Sequence, residues 1–169
     1  RDSWVSMKDT YLFNLTLKTF LLTMDKEHEY LFYIGVDKGD RIFDNKKEQE
    51  LIIRFNIAFK NVEFIFYPIF NIEKGHVTKM WNIIFKDAYD KNCEYFYQCG
   101  DDMQFKTKGW INDCIKMLSS KNNIGLTGPV NNNNRILTQA FVRRKNMEIF
   151  SLFFPDEIRK RCCYDWYNM

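Results

Sequence analysis

The feature that most constrains the fold is an alternation along the chain between short apolar or aromatic runs and segments with helical spacing. Most of the short runs end at Gly, Asp or Pro, which is typical of buried strands followed by turns. The predicted strands cover residues 30–36, 62–67, 94–98, 124–127 and 136–142. The predicted helices cover residues 4–22, 45–59, 75–89, 108–118, 147–151 and 155–161. Strands that alternate with helices predict an α/β fold, in which a mostly parallel open sheet carries helices on both faces.

Sheets of this kind bind ligands just outside the carboxyl ends of their strands. Three segments follow predicted strands in this way: residues 37–40, residues 100–102 and the loop after Thr127. These segments are therefore the first places to look for a functional site.

Composition narrows the classes of partner. The 169 residues suffice for one domain with a hydrophobic core, since 46% of them are hydrophobic. The net charge of +3 gives no electrostatic reason to expect nucleic acid or an anionic membrane surface as a partner.

No apolar run approaches the roughly 20 residues that cross a bilayer, so no transmembrane segment is expected. The chain begins at Arg1, and we expect it to be a piece of a longer protein.

The cysteines do not form a disulfide or zinc pattern. They are odd in number, two are adjacent, no CxxC pair exists, and the two histidines lie far apart. Their positions are Cys93, Cys99, Cys114, Cys162 and Cys163. Reduced thiols are the simplest interpretation, and they predict a cytoplasmic location or the cytosolic face of a membrane.

The strongest chemical signal is Gly100-Asp101-Asp102, which comes directly after an aromatic strand. Two adjacent carboxylates repel each other and are costly to desolvate together, and a divalent cation removes that cost. Carboxylate oxygens suit Mg²⁺ or Mn²⁺, which share their coordination with waters and phosphate oxygens. The alternative is that the pair forms only a solvated turn or a helix cap.

A second signal is the glycine that opens a predicted helix at Gly75. Unpaired backbone N–H groups at a helix start attract anions. Lys79 and Asn82 lie in the first turns of this helix and are candidates for contact with the same ligand. The alternative is an ordinary helix entry.

Together, these two signals resemble the GT-A glycosyltransferases, in particular the family-2-like group. That group has a strand with an Asp-rich turn, a second strand, a glycine-opened helix of the form G-x-x-x-A-x-N, and a strand that ends in a DxD-type motif. Residues 125–129, 135–139 and 165–166 are also similar to glycosyltransferase-like proteins of giant viruses and protists. The resemblance covers nearly the whole chain.

The resemblance implies a GT-A, Rossmann-like fold and a metal-dependent transfer of a sugar from a UDP- or GDP-sugar to a glycan, protein or lipid acceptor. On the donor side, it implies that Asp37 contacts the base or ribose. Gly75, Lys79 and Asn82 are expected near the nucleotide. The expected unit is a single GT-A domain over residues 1–169 that lacks the family's first strand. Whether it also lacks the family's C-terminal end is not decided by the sequence.

The resemblance also implies roles for the acidic residues. Asp102 is expected to ligate Mn²⁺ or Mg²⁺. Asp101 is expected to touch the ribose or donor sugar and to assist the metal. Asp165 matches the late acidic position that often serves as the catalytic base of inverting members, with Asp156 and Glu157 as further candidates. A helix cap or surface acid is the alternative for Asp165.

The chain departs from the family pattern at several points. Gly100 replaces the first acid of a strict DxD motif, Lys79 and Trp81 stand where small residues are common, and no His follows His76 to complete metal ligation. Two other functions therefore stay open: a nucleotidyltransferase with a similar sheet, or a non-catalytic binding module. Trp110, Trp166 and Tyr167 are candidates for stacking on sugars or for the core. The basic runs 143–145 and 159–161 are candidates for phosphate contact or for solvated faces.

Overall fold

The structure is a computed structural model that describes residues 2–73, 75–130 and 138–155. It has a mixed α/β fold. Its strands are β1 (Tyr30–Asp37), β2 (Val62–Ile69), β3 (Tyr95–Gln98), β4 (Leu126–Thr127) and β5 (Ala140–Arg143). Its α-helices are α1 (Lys18–Thr23), α2 (Lys46–Ile53), α3 (Phe55–Ala58), α4 (Val77–Asp90), α5 (Trp110–Ser119) and α6 (Lys145–Phe150).

The chain forms two compact units. The first unit contains Arg1–Phe70 and Gly100–Trp110, and the second contains Asn71–Cys99 and Ile111–Met169. Each sheet lies within one unit, because β1 pairs with β2 in the first, and β3, β5 and β4 pair in that order in the second.

In the first unit, β1 and β2 form a parallel pair in which Tyr30 lies opposite Val62. The Tyr30 N–H donates to the Asn61 carbonyl at 2.8 Å, so the odd-numbered residues of β2 direct their backbone groups toward β1. Pro68 is even-numbered, and its missing N–H therefore lies on the outer side of β2, where no ladder bond is lost. For this reason the strand continues to Ile69, beyond the end at residue 67 that the proline predicted.

The predicted helix over residues 4–22 is interrupted near its start. Met7–Asp9 forms a 3-10 turn, and Thr10 has extended backbone angles of φ −74° and ψ 149°. The Asp9 carboxylate accepts hydrogen bonds from the N–H groups of Val5 (3.0 Å) and Ser6 (2.9 Å), which stabilises the turn locally. The long helical segment begins after this turn, with a π-helical stretch at Leu12–Leu17 that runs directly into α1.

The predicted helix over residues 45–59 is divided into α2 and α3 at Arg54. Asn45 caps α2, since its side-chain oxygen accepts the N–H of Lys47 at 3.0 Å. The core of the first unit includes Met7, Leu17 and Ile52, whose side chains are fully buried.

In the second unit, β5 is antiparallel to both β3 and β4. The described strand pairs are thus one parallel and two antiparallel, which differs from the mostly parallel sheet that the sequence predicted. The physical reason lies in the connection between Thr127 and Ala140, whose Gly-Pro and Asn-rich sequence lacks helical spacing. Parallel neighbours need a crossover, usually helical, whereas antiparallel strands do not. Of the two strands predicted over residues 124–127 and 136–142, only Leu126–Thr127 and Ala140–Arg143 are paired among the described residues.

The helix α4 provides much of the core of the second unit. The ring of Phe85 stacks on Phe153 with centroids 4.0 Å apart and meets Phe96 of β3 edge-on at 5.7 Å. The predicted helix over residues 147–151 is α6, which ends at Ser151 in a left-handed conformation with φ +61°. The helix predicted over residues 155–161 falls, apart from Pro155, outside the described residues.

Within the part of the chain that the structure describes, no helix has the length and apolar character needed to span a membrane.

Candidate functional site

The acidic turn, defined here as Gly100, Asp101 and Asp102, follows β3 along the chain after Cys99. Asp101 is half-buried and Asp102 is exposed. Two carboxylates thus occupy consecutive positions in a turn, and at least one of them is open to a ligand from solvent.

Gly100 leaves room for the Asp102 carboxylate. A Cβ atom placed on Gly100 would lie 2.8 Å from Asp102 Oδ1, which is closer than non-bonded carbon and oxygen atoms approach. Any residue other than glycine would therefore displace this carboxylate. This gives a physical reason for glycine at position 100.

Two threonine hydroxyls, of the buried Thr16 and the half-buried Thr19, hold the backbone of the acidic turn and of the residues that follow it. Thr16 Oγ1 donates to the Asp101 carbonyl at 2.8 Å and accepts the N–H of Met103 at 3.0 Å. Thr19 Oγ1 accepts the N–H of Phe105 at 3.0 Å. Neither threonine was predicted as a functional residue, and their spacing of three residues in one helical segment is the only signal in the sequence.

Asp37 is the last residue of β1 and is exposed. The turn after it is held by other carboxylates: Asp40 Oδ1 accepts the N–H groups of Ile42 (2.9 Å) and Phe43 (2.7 Å), and Asp44 Oδ2 accepts the N–H of Gly39 (2.8 Å). Asp40 and Asp44 therefore stabilise the turn, and Asp37 lies at its start on the same unit as the acidic turn.

Gly75, Lys79 and Asn82 belong to the second unit. Gly75 has φ +84°, a left-handed conformation that favours glycine at this helix entry. Lys79 is exposed on the first turn of α4, where a cation can meet an anion drawn to the helix start.

Asn82 has a structural role that the sequence did not reveal. Its side chain is 6% exposed, its Nδ2 donates to the Phe154 carbonyl at 2.7 Å, and its Oδ1 accepts the Phe154 N–H at 2.9 Å. The amide thus satisfies both backbone groups of a fully buried residue. Its predicted place near a nucleotide stays a prediction.

The structure brings Asp37, Asp101 and Asp102 into one unit, and Gly75, Lys79 and Asn82 into the other. The predicted base Asp165 and the further candidates Asp156 and Glu157 lie outside the described residues, as do Trp166, Tyr167 and the basic run 159–161.

Two of the alternative interpretations concern residues that the structure describes. Trp110 is 7% exposed and stacks on Phe105 with centroids 5.2 Å apart, so it belongs to the core. In the basic run 143–145, Arg143 pairs with Glu94 and Arg144 pairs with Glu148 at 3.5 Å. These two arginines therefore serve ion pairs within the second unit.

The donor atoms of the acidic turn fit a divalent cation of the Mg²⁺ or Mn²⁺ type. No group of three or more His, Cys, Asp or Glu side chains with metal-binding geometry exists among residues 2–73, 75–130 and 138–155. Two carboxylates are sufficient for a cation that takes its remaining ligands from water and a phosphate, as Mg²⁺ commonly does. Asp101 and Asp102 are the residues that would hold such an ion.

Gln139 adds a buried polar group next to the start of β5. Its side chain is 8% exposed, and its Oε1 has no hydrogen-bond partner among the described residues.

A shallow depression of about 280 Å³ elsewhere in the second unit contains none of the predicted site residues. It is lined by Lys86, Tyr89, Met147, Glu148 and Ser151.

Comparison with known proteins gave no match to a family model, a curated protein or a solved structure.

Proposed function

We propose that the chain is the donor-binding part of a GT-A-type glycosyltransferase, which transfers a sugar from a UDP- or GDP-sugar to an acceptor hydroxyl. The observation that carries the proposal is the acidic turn. Two consecutive carboxylates follow strand β3 in a mixed α/β chain, and the hydroxyl of the buried Thr16 bonds to the backbone on both sides of Asp102.

The proposal also includes a fold more specific than the mixed α/β fold described above, namely a single GT-A sheet. A sheet with one antiparallel strand among parallel ones is common among doubly wound α/β folds. Among the described residues, the parallel pair β1–β2 and the antiparallel strands β3, β5 and β4 form two separate sheets, so the single GT-A sheet rests on the resemblance.

In the proposed reaction, the bond between the anomeric carbon and the diphosphate breaks, and the acceptor oxygen takes the place of the diphosphate. A bound Mn²⁺ or Mg²⁺ would supply Lewis-acid neutralisation of the leaving diphosphate. Asp102, with Asp101 beside it, would hold that ion. We assign contact with the base or ribose to Asp37, which ends β1 and is exposed.

We assign Lys79 to the nucleotide on the resemblance alone; its exposed ammonium group near a helix start has the charge that a diphosphate attracts. Removal of the acceptor proton requires a carboxylate base, and we assign that role to Asp165 on the resemblance alone.

The test is an assay with UDP- and GDP-sugars that carry one label in the sugar and another in the nucleotide, together with a pool of glycan, peptide and lipid acceptors. The proposal predicts sugar label on an acceptor and release of the nucleoside diphosphate, both dependent on Mn²⁺ or Mg²⁺. Transfer of the nucleotide label with release of pyrophosphate or sugar phosphate would identify a nucleotidyltransferase. Metal-dependent binding of a donor without any bond cleavage would identify a binding module.

A further inference from the structure

The helical segment that precedes β1 reaches the acidic turn through the Thr16 side chain. Thr16 lies in the π-helical stretch Leu12–Leu17 and is fully buried. Its hydroxyl is used twice, since it donates to the Asp101 carbonyl at 2.8 Å and accepts the Met103 N–H at 3.0 Å. π-Helical turns are rare, and they are found frequently at functional sites.

The two bonds enclose Asp102. The carbonyl belongs to the residue before it and the N–H to the residue after it, so both peptide units that flank Asp102 are fixed by one oxygen atom. Only a hydroxyl can donate and accept in this way at the size of a threonine side chain. A valine of the same shape would leave the Asp101 carbonyl and the Met103 N–H without these bonds.

The Thr19 hydroxyl attaches the backbone that follows the acidic turn to the same helical segment. Thr19 Oγ1 accepts the Phe105 N–H at 3.0 Å and donates to the Leu15 carbonyl at 2.7 Å. The Phe105 ring packs against Phe20 of the same helical segment, with centroids 5.9 Å apart. The segment 101–105 is therefore attached to one helix by hydrogen bonds at three backbone groups and by an aromatic contact.

We propose that Thr16 is a positioning residue for the acidic turn. It holds the backbone on both sides of Asp102 so that the two carboxylates are arranged before a cation binds. The inference rests on the proposed function, because it gives Asp101 and Asp102 the role of cation ligands. Groups that orient metal ligands typically contribute about 10–100-fold to metal affinity.

The experiment compares Thr16→Val with Thr16→Ser in the full chain, and uses Thr23→Val as the matched control. Thr23 is a buried threonine of the same helical segment, 7% exposed, and its hydroxyl donates within the helix to the Thr19 carbonyl at 2.8 Å. Three quantities are measured for each protein: the affinity for Mn²⁺ alone by calorimetry, the hydrogen exchange of amides 101–105, and the urea midpoint of unfolding.

We expect Thr16→Val to weaken Mn²⁺ binding about 10-fold or more and to accelerate exchange in residues 101–105. Thr16→Ser restores both, because it keeps the hydroxyl. Thr23→Val lowers the urea midpoint without changing Mn²⁺ affinity or exchange in that segment. Unchanged Mn²⁺ affinity in folded Thr16→Val protein, or an equal loss in Thr23→Val, would overturn the inference.

Failure of the proposed function gives a different result. If wild-type protein binds no Mn²⁺, the metal site is rejected, and exchange of residues 101–105 in Thr16→Val decides separately whether Thr16 fixes the turn. If Thr16→Val does not fold, the Met103 amide of the wild-type protein is decisive. Protection of that amide supports the attachment, and exchange at the rate of an unfolded chain contradicts it.

Discussion

Gly100 illustrates how one missing side chain shapes the candidate site. A Cβ atom on residue 100 would lie only 2.8 Å from Oδ1 of the Asp102 carboxylate. The atom in the way is the end of a side chain, so a methyl group would turn the carboxylate aside and leave the backbone in place. The identity of residue 100 thus affects the direction of Asp102 more than it affects folding.

We therefore predict that Gly100→Ala weakens Mn²⁺ affinity severalfold while the free energy of unfolding changes by less than about 1 kcal/mol. Gly39→Ala is the control with the opposite pattern. Gly39 has open space around its Cα but a φ of +83°, so alanine there costs about 1–2 kcal/mol of stability and leaves Mn²⁺ affinity unchanged. Calorimetry and urea unfolding measure the two effects. Equal Mn²⁺ affinity in wild type and Gly100→Ala would refute the steric argument.

Cys114 is a residue whose chemistry is set by burial. Desolvation, and after it the charge of Asp113, raises the pKa of the Cys114 thiol to about 11. The folded protein therefore favours the protonated thiol. This contribution to stability is complete below the unfolded thiol pKa of about 8.5 and is lost as the pH rises from there toward 11.

We predict that iodoacetamide at pH 8 leaves Cys114 unmodified in the native protein and modifies it in urea, because the native thiol is buried and its raised pKa keeps it protonated at that pH. Peptide mapping by mass spectrometry measures the modification at each cysteine separately. Rapid alkylation of Cys114 under native conditions would show that the thiol is neither buried nor raised in pKa.

At the scale of elements, helices and strands with strong local patterns were predictable, and the contacts that join them were not. Apolar spacing located α4, and an aromatic run located β1 to within one residue of its end. The break at Thr10 depends on hydrogen bonds of Asp9 with the two residues at the entry of the turn, which apolar spacing does not register. The direction of β5 depends on the connection before it rather than on its own residues.

The candidate site shows the same limit. The acidic turn was predictable because its carboxylates are adjacent in sequence. Thr16 was not, because it lies 85 residues from Asp101, to which it bonds. The role of Asn82 near a nucleotide stays a prediction. Its bonds to the backbone of Phe154, 72 residues away, had no signal in the local sequence. Local sequence patterns do not reveal side-chain hydrogen bonds between segments that are far apart in the sequence.

The attachment of Phe154 to α4 gives a prediction at this scale. Asn82→Ala leaves the N–H and the carbonyl of a fully buried residue unsatisfied, so we expect it to lower the free energy of unfolding by roughly 2–4 kcal/mol. Lys79→Ala, on the exposed side of the same helix, is expected to change it by less than about 0.5 kcal/mol. Urea unfolding of both variants tests this, and equal stabilities would show that the Asn82 bonds contribute little.

For the molecule as a whole, the described chain is a mixed α/β protein of two units, each with its own sheet. The first unit carries the acidic turn, together with the helical segment that fixes it and the exposed Asp37 at the end of β1. The second carries the glycine-opened helix α4. The proposed function depends most on one feature: the acidic turn holds a divalent cation, and that cation holds a nucleoside diphosphate.

The measurement that tests this claim most directly is calorimetric titration of the chain with UDP and GDP, with and without Mn²⁺. The variant is Asp102→Asn, and the matched control is Asp113→Asn, an exposed acid on α5. We predict that wild type and Asp113→Asn bind one of the two nucleotides only when Mn²⁺ is present, and that Asp102→Asn loses this binding while it stays folded. Nucleotide binding that needs no Mn²⁺, or that survives in Asp102→Asn, would contradict the assignment of the acidic turn, and no binding of either nucleotide by folded protein would contradict the proposed function.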